Sequence, residues 1–213
     1  MLPRMDQNTS LIEQGLEHLR QDLLDLLGGA NLHLQPETIS AYLRARLRAQ
    51  LKRLETILRR LILLLALTLD LAPVRPRATR QAVSVPGGVE DVTASFRAHL
   101  PKQYRMALIP RPFGPPGTFG ALASARCSGP VPAMPLMVQA AVLLNIMKQP
   151  EPAARRMARL IERMKRRGEA KPYCLPIASR NQLRPEMALI AGAVTLAVNA
   201  GLADWPVRLP DTG

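Results

Sequence analysis

The sequence predicts an all-α fold, and three observations carry that expectation. Leucines recur at steps of three and four along two extended segments, residues 10–28 and 37–71. Only seven of the 213 residues are aromatic, so the core must be built from Leu, Ala, Met and Val, which suit helices better than sheets. Strand-like fragments, such as residues 81–85 and 104–109, are short and interrupted. The expected architecture is an N-terminal helical hairpin with one long amphipathic helix (residues 1–72), a Pro-rich, basic, largely irregular connector (73–135) and a C-terminal cluster of about three helices (136–213).

The first helix is expected to open on a capping box. Ser10 stands three residues before Glu13, so each side chain can satisfy a free N–H at a helix start. Ile12, Leu16, Leu19, Leu23 and Leu26 follow as a narrow, coiled-coil-like stripe, and Gly28-Gly29 ends the helix. Glu13, Glu17, Asp22 and Asp25 occupy its polar side, where the carboxylate pairs give no sign of a pocket.

Pro36 suits the first position of the second helix, read as residues 37–71. Up to Arg60 this helix is amphipathic, with Arg44, Arg46, Arg48, Lys52, Arg53, Arg59 and Arg60 opposite the leucines. Residues 61–69 (LILLLALTL) then carry no charge. A helix apolar on every side must be surrounded by protein or by lipid. Leu51, Leu54, Leu58, Leu61 and Leu65 form its seam, which suits an antiparallel hairpin, self-association or a membrane surface.

Pro73 stops this helix, and 11 of the 20 prolines fall between residues 73 and 135, a segment of net charge +6. Such composition without periodicity reads as linker or disordered arm, not as a domain. Its glycine-rich piece, residues 114–120, has prolines where a phosphate cradle needs N–H groups, and lacks the Lys and Ser/Thr of a P-loop. Helical order resumes at residues 136–148. Pro150 and Pro152 lead into a basic helix, residues 153–167, where Ala153, Met157, Leu160, Ile161 and Met164 make the apolar stripe. Gly168 ends it, and Pro185-Glu186 starts a last helix to about residue 200.

Spanning hydrocarbon takes about 20 apolar residues. The uncharged runs here have nine (61–69), 13 (135–147) and 17 (187–203), the last rich in Ala, Gly, Thr and Asn, so peripheral attachment is the better membrane expectation. An aromatic anchor is scarce, since Tyr42 alone lies in the long helix. The N-terminal MLPRMDQNTS has no apolar stretch of a secretory signal, and Cys127 and Cys174 make neither a disulfide framework nor a zinc site. A cytoplasmic location, with peripheral attachment to the inner membrane as an addition, is expected.

Formal charge is +13, divided unevenly: residues 1–36 hold two Arg against five acids, and the rest 27 basic against 11 acidic side chains. This charge favours anionic partners. Only five of the 29 basic residues are Lys, and a compositional bias toward Arg would produce the same excess. His18, His33 and His99 show no metal-ligand spacing, and no Ser or Cys sits in a nucleophile motif. No cofactor, metal or small-molecule substrate is inferred, and an enzyme is not expected.

The function expected from the sequence is therefore helix-mediated association with a protein partner or a second copy. Leu51, Leu54, Leu58, Leu61 and Leu65 supply its apolar contact with protein or membrane, while Arg48, Lys52, Arg59 and Arg60 meet acidic groups. The alternative is sequence-independent nucleic-acid binding by Arg155, Arg156, Arg159, Arg163, Lys165, Arg166 and Arg167.

Overall fold

A computed structural model describes residues 4–71, 106, 129–177 and 183–206. The fold is all-α, with five helices among the described residues: α1 (Arg4–Gly29), α2 (Ala41–Thr68), α3 (Met134–Lys148), α4 (Glu151–Arg166) and α5 (Pro185–Gly201). Of the connector, residues 72–105 and 107–128 lie outside the described part, and with them the glycine-rich piece and nearly all of both strand-like fragments.

Helix α1 begins earlier than the capping box implied. Residues 4–9 contain neither Pro nor Gly, so nothing turns the chain out of the helix before Ser10. Ser10 sits inside the helix, and its hydroxyl accepts from Gln14 Nε2 at 3.2 Å. The apolar stripe is as expected: Ile12, Leu19 and Leu23 are buried, with Leu16 and Leu26 partly so. Gly28-Gly29 ends the helix, and a short 3₁₀ turn, Leu32–Leu34, anchors the connection by burying Leu32.

Helix α2 starts at Ala41, not near Glu37. Thr38 and Ile39 are β-branched, and the chain uses them as strand β1 (Thr38–Ser40) instead. Its antiparallel partner is β2 (Pro130–Pro132), in the register Thr38↔Pro132, Ile39↔Val131 and Ser40↔Pro130. Prolines at both ends of β2 cannot donate, which keeps this ladder short. Ser40 then caps α2, its Oγ accepting from the Leu43 N–H at 3.2 Å. At the far end Leu69 is extended, so the helix stops at Thr68.

Helix α2 is the centre of the bundle. It packs against α1, α3, α4 and α5, and touches both strands. Antiparallel packing of α1 on α2 makes the expected hairpin, with Gly15 over Leu61 and Leu26 near Leu47. Parallel to α2 runs α5, where Gly201 approaches Leu67. The uncharged stretch 61–69 packs into the protein: Leu61, Ile62, Leu64 and Ala66 are buried, and Leu63, Leu65, Leu67 and Leu69 are partly buried against the same core. No helix among the described residues is long and apolar enough to cross a membrane.

The C-terminal helices carry prolines in their first turns, where the missing N–H costs nothing, as read from the sequence for α4 and α5. One continuous core joins hairpin and C-terminal helices.

Candidate anionic-partner interface

The apolar side of α4 (Ala153, Ala154, Met157, Ala158 and Ile161) is buried, and this helix packs on α2. Helical periodicity then turns the arginines outward. Arg155, Arg156, Arg159, Arg163, Arg166 and Arg167 are all exposed. Lys165 is half-buried, with Nζ 5.6 Å from the centre of the Trp205 ring. That indole is itself buried and donates from Nε1 to the Glu169 carbonyl at 2.9 Å.

Acids neutralise part of this face. Arg155 pairs with Glu151 at 2.9 Å, Arg166 with Glu162 at 3.7 Å and Arg167 with Glu169 at 3.6 Å. These are exposed pairs, each worth at most about 1 kcal/mol, so a phosphate can displace them. Arg156 donates from Nε to the Pro152 carbonyl at 3.2 Å. Arg159 and Arg163 have no carboxylate within ion-pair distance among the described residues. The central turn of α4 thus presents guanidinium groups that no carboxylate among the described residues pairs. The helix closes with Gly168 in the left-handed region (φ 63°), where Glu169 N–H donates to the Met164 carbonyl at 3.0 Å and Gly168 N–H to that of Lys165 at 3.1 Å.

The basic residues of α2 divide into two sets. Arg48 and Lys52 are exposed. Arg59 and Arg60, read from the sequence as partner contacts, are turned inward because α3 and α5 pack beside them. Arg59 pairs with Glu55, whose other oxygen accepts from Gln139 of α3 at 3.3 Å. Arg60 donates from Nη1 to Thr195 Oγ1 of α5 at 2.6 Å and from Nη2 to the Leu175 carbonyl. The glutamate four residues before Arg59 was a legible signal of its pairing; nothing local distinguished Arg60.

The apolar seam is likewise occupied. Leu51, Leu54, Leu58 and Leu61 are buried in the chain's own core, and Leu65 packs partly against it. Of these leucines only Leu65 keeps partial exposure on α2.

One feature was missed on the sequence. Asp22 and Asp25 do line a cleft, of about 310 Å³, between α1, the first half of α2 and the residues before α5. Arg184 bridges both carboxylates, at 3.3 Å to Asp22 and 2.7 Å to Asp25. Burial pushes the Asp22 carboxyl up from its ordinary range, against the pull of the Arg184 guanidinium. Leu26, Leu43, Leu47 and Leu54 supply the apolar wall, and Arg46, Gln50 and Arg53 the polar one. With both acids engaged by Arg184, the cleft has no pair of carboxylates poised for acid–base work.

Cys174 is half-buried, and burial raises its thiol pKa against the influence of Arg60. Its backbone is held at both ends by the Asn199 amide, at 3.1 Å and 3.0 Å. A raised pKa leaves the thiol protonated and a poor nucleophile. Among the described residues no three His, Cys, Asp or Glu side chains group closely enough to hold a metal ion.

No protein-family model matches this chain, and no match to it was found among the curated proteins or the solved structures.

Proposed function

We propose that the protein is a non-enzymatic helical interaction protein that binds an extended polyanion, nucleic acid above all, through the exposed arginine face of α4. The observation that carries this reading is the pair Arg159 and Arg163, exposed and without a carboxylate partner among the described residues. At 1.5 Å per residue, Arg156 to Arg167 extends over roughly 17 Å, enough to track several successive phosphates. Bidentate guanidinium groups suit phosphate oxygens better than ammonium groups do, and this helix with its C-cap Arg167 holds six arginines to one lysine.

The reading implies contact with the backbone and not with base edges. No aromatic residue stands on α4, and Trp205 is buried beneath Lys165, so α4 itself offers no platform for stacked bases. Arg48 and Lys52 add exposed charge on α2. Association through the α2 leucines, with protein or membrane, loses support because those side chains are covered by the chain itself.

The test is fluorescence anisotropy with a duplex and a single-stranded oligonucleotide of mixed sequence over a salt series. Three to five phosphate contacts give a log–log salt slope of about −2.7 to −4.5 on duplex, and Arg159→Glu with Arg163→Glu weakens binding at least about tenfold. Absence of binding near 50 mM salt, or binding indifferent to those reversals, overturns the proposal.

A further inference from the structure

Helix α5 has an outer face that no described part of the chain covers. Leu189, Ala193, Leu196 and Ala200 follow one another at steps of four, three and four, so they share one side of the helix, and all four are exposed. Leu189 is 69% exposed and Leu196 73%. Beside them lies the segment before α5, tied to the helix by the Asn199 amide on Cys174 and by Arg60, which bonds both Leu175 and Thr195. That segment adds Tyr173, 71% exposed, and Leu175, 66% exposed. Four of the large exposed hydrophobic side chains are thereby gathered around a single helix.

We infer that this face is the contact between two copies of the chain, paired antiparallel along α5 about a twofold axis.

Three features select a second copy as the occupant. The first is the alternation of large and small residues. An antiparallel pair centred between Val194 and Thr195 sets residue 189 opposite 200 and residue 193 opposite 196. Every leucine then meets an alanine of the other copy, the interlocking that close packing requires. A parallel pair would stack Leu on Leu and leave the alanines as gaps. The second is charge at the two ends of the face. Arg184 and Glu186 stand at the start of α5, and Asp204 with Lys165, which lies over Trp205, stands at its end. Arg184 is turned to Asp22 and Asp25, so Glu186 and Asp204 are the charges left at the two ends of the face, and an anionic bilayer would meet both acids. The third is area. The six apolar residues expose on the order of 600 Å² per copy, at the upper end of the largest patch an ordinary monomer shows, and the roughly 1,200 Å² of the pair reaches the lower edge of stable interfaces.

The measurement is sedimentation of the full chain from low micromolar to about 200 µM, a range suited to a small interface. A concentration-dependent dimer is expected. Leu196→Asp should abolish it while helicity and melting temperature stay unchanged, because this side chain is mostly exposed in the monomer. Orientation is read by mixing two single-cysteine proteins, Leu189→Cys and Ala200→Cys, in a background carrying Cys127→Ser and Cys174→Ser. The antiparallel pair forms the mixed disulfide; Ala200→Cys linked to itself would overturn the arrangement. A monomer at every concentration overturns the proposal. So does a monomer whose melting temperature falls on Leu196→Asp, which would place the chain's own residues on the face. Flotation of a monomer on phosphatidylserine vesicles, lost in Leu196→Asp, would make a bilayer the occupant and equally overturn it.

Discussion

Gly15 of α1 lies against Leu61 of α2 so closely that a Cβ at position 15 would stand 2.8 Å from Leu61 Cδ2 and 3.3 Å from Ile190 Cγ2 of α5. Three helices converge at this one missing side chain. Leu61 is fully buried and has nowhere to retreat. Gly15→Ala gains about 1 kcal/mol of helix propensity and loses about 1–3 kcal/mol to overpacking, so it is mildly destabilising. Gly15→Leu receives no such offset and should cost at least about 3 kcal/mol, read from urea unfolding midpoints.

Leu61→Ala opens a cavity in the same place. The expected loss is about 2–5 kcal/mol, and Leu61→Asp should leave no cooperative thermal transition. A Leu61→Asp protein that stayed folded would contradict the central position of α2.

Arg60 joins α2 to α5 and to the backbone at Leu175. Arg60→Met leaves the Leu175 carbonyl without this donor and should cost about 1–3 kcal/mol. Thr195→Val should cost less, since its hydroxyl otherwise donates only to the Ala191 carbonyl within its own helix. The two changes share one interaction, so the double variant should lose measurably less than the sum, in a double-mutant cycle from denaturant curves.

Asp22 makes stability depend on pH in an unusual direction for a carboxylate near an arginine. Burial raises its folded pKa above the unfolded value. Its contribution is therefore fully present below the unfolded pKa of about 3.9 and is lost as pH rises through the folded value. Asp22→Asn removes that titration. Relative to the unmodified protein, the variant should gain stability between pH 3.5 and pH 7, measured by urea unfolding at both. A constant difference across that interval would show that the carboxyl titrates alike in both states.

Gly168 closes α4 with a positive φ that an L side chain adopts at a cost. Gly168→Ala should lower stability by about 1 kcal/mol and loosen the last turn, including Lys165 over Trp205. Trp205 is the sole tryptophan, so its emission should shift to longer wavelength as the loosened end admits water.

Much of the fold is legible because helix boundaries are written in local chemistry. Gly28-Gly29 and Gly168 stop helices, and Pro135, Pro152 and Pro185 open them, wherever the rest of the chain lies. What fails to read locally depends on distant partners. Pro36 resembles a helix start, yet Thr38–Ser40 is claimed by residues 130–132, far along the chain. Arg59 and Arg60 look like Arg48 and Lys52 in sequence; only the arrival of Gln139 and Thr195 turns them inward. Residues 61–69 bear no mark of whether lipid or protein surrounds them. The answer lies in the small residues Gly15 and Gly201, which let neighbouring helices come near. The cleft at Asp22 and Asp25 was invisible for the same reason, since Arg184 reaches it from a third region.

The central place of α2 has a consequence for how the protein is made. Its uncharged end finishes at Thr68, while Ile190 and Gly201, which help to enclose it, are synthesised more than a hundred residues later. At 5–20 residues per second, that end waits roughly 6–26 s for its last cover. During this interval the nascent chain displays a run of leucines of the kind that chaperones bind and aggregates recruit. Ribosome-bound chains halted before α5 should therefore be the sticky form of this protein, and release of the last helix the step that makes it safe.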